Sequence, residues 1–132
     1  MRGIKPRLVV DNSAVSKVPS VPACLSKDAK AEWRRVVPIL VDRRILTTAD
    51  LGSLENYCLA IGTVREMERQ LQRDGHVIDV QGTLKRHPGI GIQSDAMTRA
   101  RLLATELGLT PVSRSRPAVR GESPGDDLDF LG

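Results

Sequence analysis

A mainly α fold is predicted for this chain: an antiparallel helical hairpin plus a third helix, with a small β-hairpin or ordered loop between helices two and three, and disordered termini. Three observations predict it. Apolar residues recur every three or four positions in three separate stretches, the link between the first two stretches is very short, and the ends are poor in helical periodicity but rich in Pro, Ser and charge.

The opening segment, 1–22, holds Pro6, Pro19 and Pro22 among Lys, Ser and Val and reads as a flexible basic arm, with order expected to begin near Leu25. Helix one is predicted over about Lys27 to Arg43. Ser26 is its N-cap, Asp28 suits the first turn, and Leu25, Ala29, Trp33, Val36, Val37 and Leu40 form one stripe. Pro38 removes one backbone hydrogen bond there, so a kink or an early end is expected.

Helix two is predicted over about Thr48 to Asp74. Thr47 is placed to cap it with Asp50 three residues on, and Leu46 to staple against Leu51. Leu51, Leu54, Cys58, Ile61, Val64, Met67 and Leu71 make its stripe, and Gly75 supplies the left-handed stop. The short Arg43 to Thr47 connection makes helices one and two antiparallel neighbours.

Val77, Ile78 and Val80, a Gln81-Gly82 turn, and Thr83-Leu84-Lys85 fit a small hairpin or ordered loop, closed by His87-Pro88-Gly89. Helix three carries Ile92, Ala96, Ala100, Leu103 and Leu107 on one face, with Gly108 just past its end. Thr110-Pro111 can open one more short turn. The division expected is a basic arm over 1–22, a helical core for oligomerisation and DNA recognition over 23–116, and a disordered acidic tail over 117–132.

At 132 residues with only 2% aromatic side chains, the chain has room for one small aliphatic core, and oligomerisation would help it. No window approaches a membrane span and the start lacks the apolar stretch of a signal peptide, so residence in a cytoplasm is expected. Cys24 and Cys58 lie far apart among apolar neighbours and read as reduced, inert thiols.

Catalysis is not expected, and neither is a cofactor. There are two histidines, no Cys-x-x-Cys, no Gly-rich phosphate loop and no His-Glu helix motif. His76 and His87 flank the hairpin without a third ligand at metal-site spacing and read as solvated loop residues.

The net charge is +4, but without Glu122, Asp126, Asp127 and Asp129 it would be +8. A basic body with an acidic tail suits a polyanion and a protein as separate partners; simple solubility accounts for the charge equally well. The candidate DNA contacts are Arg34 and Arg35 with Arg43 and Arg44, then Lys85 and Arg86, then Arg114, Arg116 and Arg120. Helix two is too long for a recognition helix and lacks Asn, Gln or Arg grouped at its start, so contacts to backbone and shape are expected. Trp33, Tyr57 and the Leu51 to Leu71 stripe read as core or subunit interface. Asp126, Asp127, Leu128, Asp129, Phe130 and Leu131 mix acid with apolar anchors, as in a segment that folds into a partner's groove.

Several stretches together resemble one family. They are the helix from Leu25 through Trp33 to Leu40, then Leu46-Thr47-Thr48-Ala49-Asp50, then Tyr57-Cys58. Gly75, Gly82, Lys85 and Pro88 follow, and then Gly108-Leu109-Thr110-Pro111 with Ser113, Arg114 and Arg116. In this order they resemble the phage terminase small subunit of the P-twenty-seven type, over about Pro22 to Arg116, with His87 where that family more usually has Asn. The resemblance implies a non-catalytic homo-oligomeric ring in the host cytoplasm that binds double-stranded viral DNA near the packaging start. It also implies regulation of a large subunit holding the ATPase and nuclease, which makes that subunit or the portal the partner of the tail. The competing readings are a phage head connector or assembly protein without DNA binding, and a small dimeric DNA-binding regulator.

Overall fold

A computed structural model describes residues 13–111. The expectations for the start of the arm, for Arg114, Arg116 and Arg120, and for the acidic tail fall outside the described residues.

Helix α1 spans Lys27–Asp42, where the Ser26 hydroxyl oxygen accepts the Ala29 N–H at 3.2 Å. Its stripe is buried as expected: Ala29, Trp33, Val36, Val37 and Leu40 are each at most 3% exposed. Pro38 does not end the helix. It lies on the exposed side, where the carbonyl left without a partner one turn earlier, at exposed Arg34, can bond water. The stop comes instead at Arg44, which takes the left-handed conformation (φ 58°) usually given to glycine. There the Ile45 N–H bonds the Leu40 carbonyl and the Arg44 N–H bonds that of Val41.

A 3-10 turn, Thr48–Asp50, leads into helix α2, Leu51–Asp74. The Asp50 carboxylate accepts the Thr47 N–H at 3.0 Å and its hydroxyl at 2.9 Å, which tightens the entry and moves the α-helical start three residues past the expected one. Gly75 ends the helix at φ 83°.

Strands β1, Val77–Val80, and β2, Thr83–Arg86, pair antiparallel with Val77 opposite Arg86 and Val80 opposite Thr83. Gln81 and Gly82 both have positive φ, as a two-residue turn matched to strand twist requires, and the Asp79 carboxylate accepts the Gly82 N–H at 2.7 Å. Helix α3 spans Gly89–Glu106 and closes at Gly108 (φ 79°) with the same pair of reversed bonds as α1.

Helix α2 is central, packed by α1 on one side and α3 on the other. Both neighbours run antiparallel to it. Asp28, early in α1, meets Arg69, late in α2, while Glu32 meets Tyr57, and Gln93 of α3 bonds the Val64 carbonyl at 3.2 Å and Glu68 at 2.9 Å. The tightest approach is at Gly62, where an added Cβ would lie 3.0 Å from Ser26 Oγ and 3.1 Å from the Ala29 nitrogen.

The arm expected to be flexible through residue 22 is held on the core from Ser13 onward. The Val15 N–H bonds the Leu46 carbonyl at 2.7 Å, Trp33 Nε1 donates to the Pro19 carbonyl at 3.4 Å, and Val15 and Val21 pack on the core. With 2% aromatics, the lone Trp and these valines close a core the helices alone leave open.

Candidate nucleic-acid interface

Of the described basic candidates, all six lie on the surface, but in two states. Arg35 is engaged: its Nε and Nη2 donate to the Glu32 carboxylate at 3.0 and 2.6 Å. Arg34, Arg43, Arg44, Lys85 and Arg86 make no ion pair among the described residues, so their charge is available to an anion.

Arg43 and Arg44 sit where α1 turns into α2, with Arg44 lining a shallow cleft beside Ala14, Val15 and Asp42. Lys85 and Arg86 sit on β2, beyond the opposite end of α2. A helix of this length separates them by about 36 Å. One copy therefore does not gather them into a single patch. Arg86 also leans back toward α3, its Nη2 being 3.7 Å from where a Cβ on Gly91 would stand. Lys85 shares its face of the hairpin with Ile78, away from Leu84.

A second basic row, Arg65, Arg69 and Arg73 along α2, is neutralised. Arg65 pairs with Glu32, Arg69 with Asp28 and Glu66, and Arg73 with Asp74. Hydrogen bonding from Arg69 holds the Asp28 carboxyl below its usual range.

Glu32 is the feature least legible beforehand. It is 1% exposed, yet it takes hydrogen bonds from Arg35, from Arg65 at 3.2 Å and from the buried Tyr57 hydroxyl at 2.6 Å. Burial pushes its carboxyl up, but the bonds from Arg35 and Tyr57 outweigh that and hold it below the ordinary value. Burial beside Glu32 raises the Tyr57 hydroxyl, and burial pushes the Cys58 thiol up to about 12, leaving it inert.

His87 is not the solvated loop residue expected from the sequence. It is 6% exposed, its Nδ1 accepts the Gly89 N–H at 2.8 Å, and its Nε2 lies 3.0 Å from the Asp74 carboxylate. Because Nδ1 is an acceptor, Nε2 carries the proton and donates it to Asp74. His87, just before the Pro88 N-cap, thus accepts the first N–H of α3 and ties that start to the end of α2. Hydrogen bonds from Arg73 and His87 hold the Asp74 carboxyl well below the carboxylate range. Replacing His87 with Ala should cost about 1–2 kcal/mol in a thermal or urea melt, whereas Asn, whose amide oxygen can accept from Gly89, should keep about half of that. Equal melts for the two variants would remove the capping role.

Among the described residues no group of three or more His, Cys, Asp or Glu side chains could hold a metal ion, and no helix is long and apolar enough to cross a membrane.

The sequence pattern of the family described as phage terminase, small subunit, matches residues 29–124, well over half of the chain. The chain belongs to the phage terminase small subunit family. Neither a curated protein nor a solved structure matches it. The family match covers α1 from Ala29 onward, the other two helices and the hairpin of this small subunit, together with Arg114, Arg116 and Arg120.

Proposed function

We propose that this small subunit, of the P-twenty-seven type, is a non-catalytic adaptor that assembles into a ring, binds viral double-stranded DNA near the packaging start and recruits the large subunit. The family match carries the packaging role. The DNA reading is supported by the uncompensated cations at the two ends of α2, Arg43 and Arg44 at one and Lys85 at the other. Since these lie too far apart to form one patch, a tight site in a single copy is not what they suit. Repeated around a ring they supply many weak phosphate contacts whose sum is avid and salt-sensitive. The acidic and apolar segment from Asp126 to Leu131 is the part of the chain suited to the large subunit or the portal.

Fluorescence anisotropy on a phage DNA duplex between about 50 and 200 mM salt tests the DNA reading. The Arg43→Glu, Arg44→Glu, Lys85→Glu triple variant should bind at least about tenfold more weakly at the lower salt, with a shallower salt dependence and an unchanged solution mass. Unchanged affinity and slope would move the DNA surface away from these residues, and no binding by the wild type at low salt would favour a head assembly protein.

A further inference from the structure

The hairpin projects beyond the helices with apolar residues uncovered. Val77 is 60% exposed and Leu84 71%, and the strand register puts both on one face, with Arg86 opposite Val77 and Asp79 opposite Leu84. A two-stranded hairpin with neither face covered is marginal in water, so such residues are an unusual choice unless something covers them.

A second uncovered apolar surface lies along the α2–α3 seam. Between α2 and α3 a groove of about 450 Å³ is lined by Leu59, Ala60, Leu102 and Leu103, with the charged side chains Arg99 and Glu106 beside them. Leu59 and Leu102 are 44% and 53% exposed, and Arg99 has no ion-pair partner among the described residues.

The hairpin does not cover this groove within one copy. Val77 and Leu84 stay 60% and 71% exposed, and the groove's Leu59 and Leu102 stay 44% and 53% exposed. The two surfaces nevertheless match. An apolar ridge flanked by Asp79 and Arg86 faces an apolar trough flanked by Arg99 and Glu106, so each can meet a charge of opposite sign on the other.

We propose that the Val77, Asp79, Leu84 face of the hairpin docks into the α2–α3 groove of a second copy, with Asp79 meeting Arg99. Two different patches on one chain make a head-to-tail contact, which closes into a ring when the rotation between copies is right. The proposal rests on the ring reading above and specifies the surface that builds it. Lys85, on the opposite face of the hairpin, stays free for DNA.

Leu84→Glu leaves the groove intact, and Leu102→Glu leaves the hairpin intact. Both sites are exposed, so each variant should keep the wild-type circular dichroism spectrum. In light scattering the wild type should be a discrete multi-subunit assembly and each variant alone a monomer. An equimolar mixture of the two should give a one-to-one dimer that grows no further, because only one intact contact remains. If the wild type assembles but both variants assemble equally well, this surface is wrong and the ring reading stands. If Leu84→Glu still forms homodimers, the contact is groove to groove and the head-to-tail assignment fails. A wild type that is monomeric at every concentration overturns the ring reading itself.

Discussion

Replacing Glu32 with Ala is expected to destabilise the protein by about 2–4 kcal/mol, lowering the melting temperature by about 10 °C or more. The carboxylate is fully buried and receives three partners, so its loss strands the buried Tyr57 hydroxyl and leaves a void against the core. Arg35 and Arg65 are 60% and 44% exposed, so both can be rehydrated, and the cost stays below that of stranding two buried cations. A pH dependence follows. Because the folded carboxyl is held below the ordinary value of 4.5, its contribution is present above that value and is lost as the pH falls through the folded one. Asp28 and Asp74 act in the same sense. Wild-type stability should therefore decline steadily below about pH 4.5, and the Glu32→Ala variant, weaker at neutral pH, should decline less steeply. Parallel stability profiles for the two proteins would show that Glu32 is not held in its charged form by its partners.

Gly62→Leu is expected to cost about 3 kcal/mol or more, while Gly52→Ala should gain up to about 0.5 kcal/mol. Both glycines lie in α2, where propensity alone favours replacing either. Their surroundings differ. A Cβ at Gly52 meets nothing within 4 Å, but at Gly62 it meets the Ala29 backbone nitrogen at 3.1 Å, which cannot move without shifting α1. A leucine there would force the two helices apart along the face that buries Trp33 and Leu54. Urea melts of the two variants give the comparison directly, and equal effects would mean that α1 and α2 do not pack as closely as described.

Much of the architecture was already written in the sequence. The 3.6-residue stripes from Leu25 to Leu40 and from Leu51 to Leu71, the Thr47–Asp50 entry, the Gln81-Gly82 turn and the stops at Gly75 and Gly108 are all local signals, carried by residues a few positions apart. Such signals depend on backbone sterics and on which face is apolar, so they survive without knowledge of the partner element. The basic candidates were equally legible as charges, since a formal charge belongs to the residue type.

What the sequence could not decide was which charges are free and which polar groups are buried. Glu32 and Arg35 look alike as surface residues one turn apart, yet one is enclosed by Tyr57, 25 positions away, and the other is bound to it. His87 reads as part of a chain break until Asp74 and Gly89 are seen on either side of its ring. The arm from Ser13 to Pro22 lacks periodicity because it is neither helix nor regular strand, and it is fixed only by Leu46 and Trp33. In each case the deciding energy comes from desolvation and hydrogen bonding between residues distant along the chain. The sequence alone determined where the chain turns and which stripes of α1 and α2 face inward; the tertiary structure left Ile92 of the expected α3 face 48% exposed and decided the electrostatic state of the groups caught between the helices.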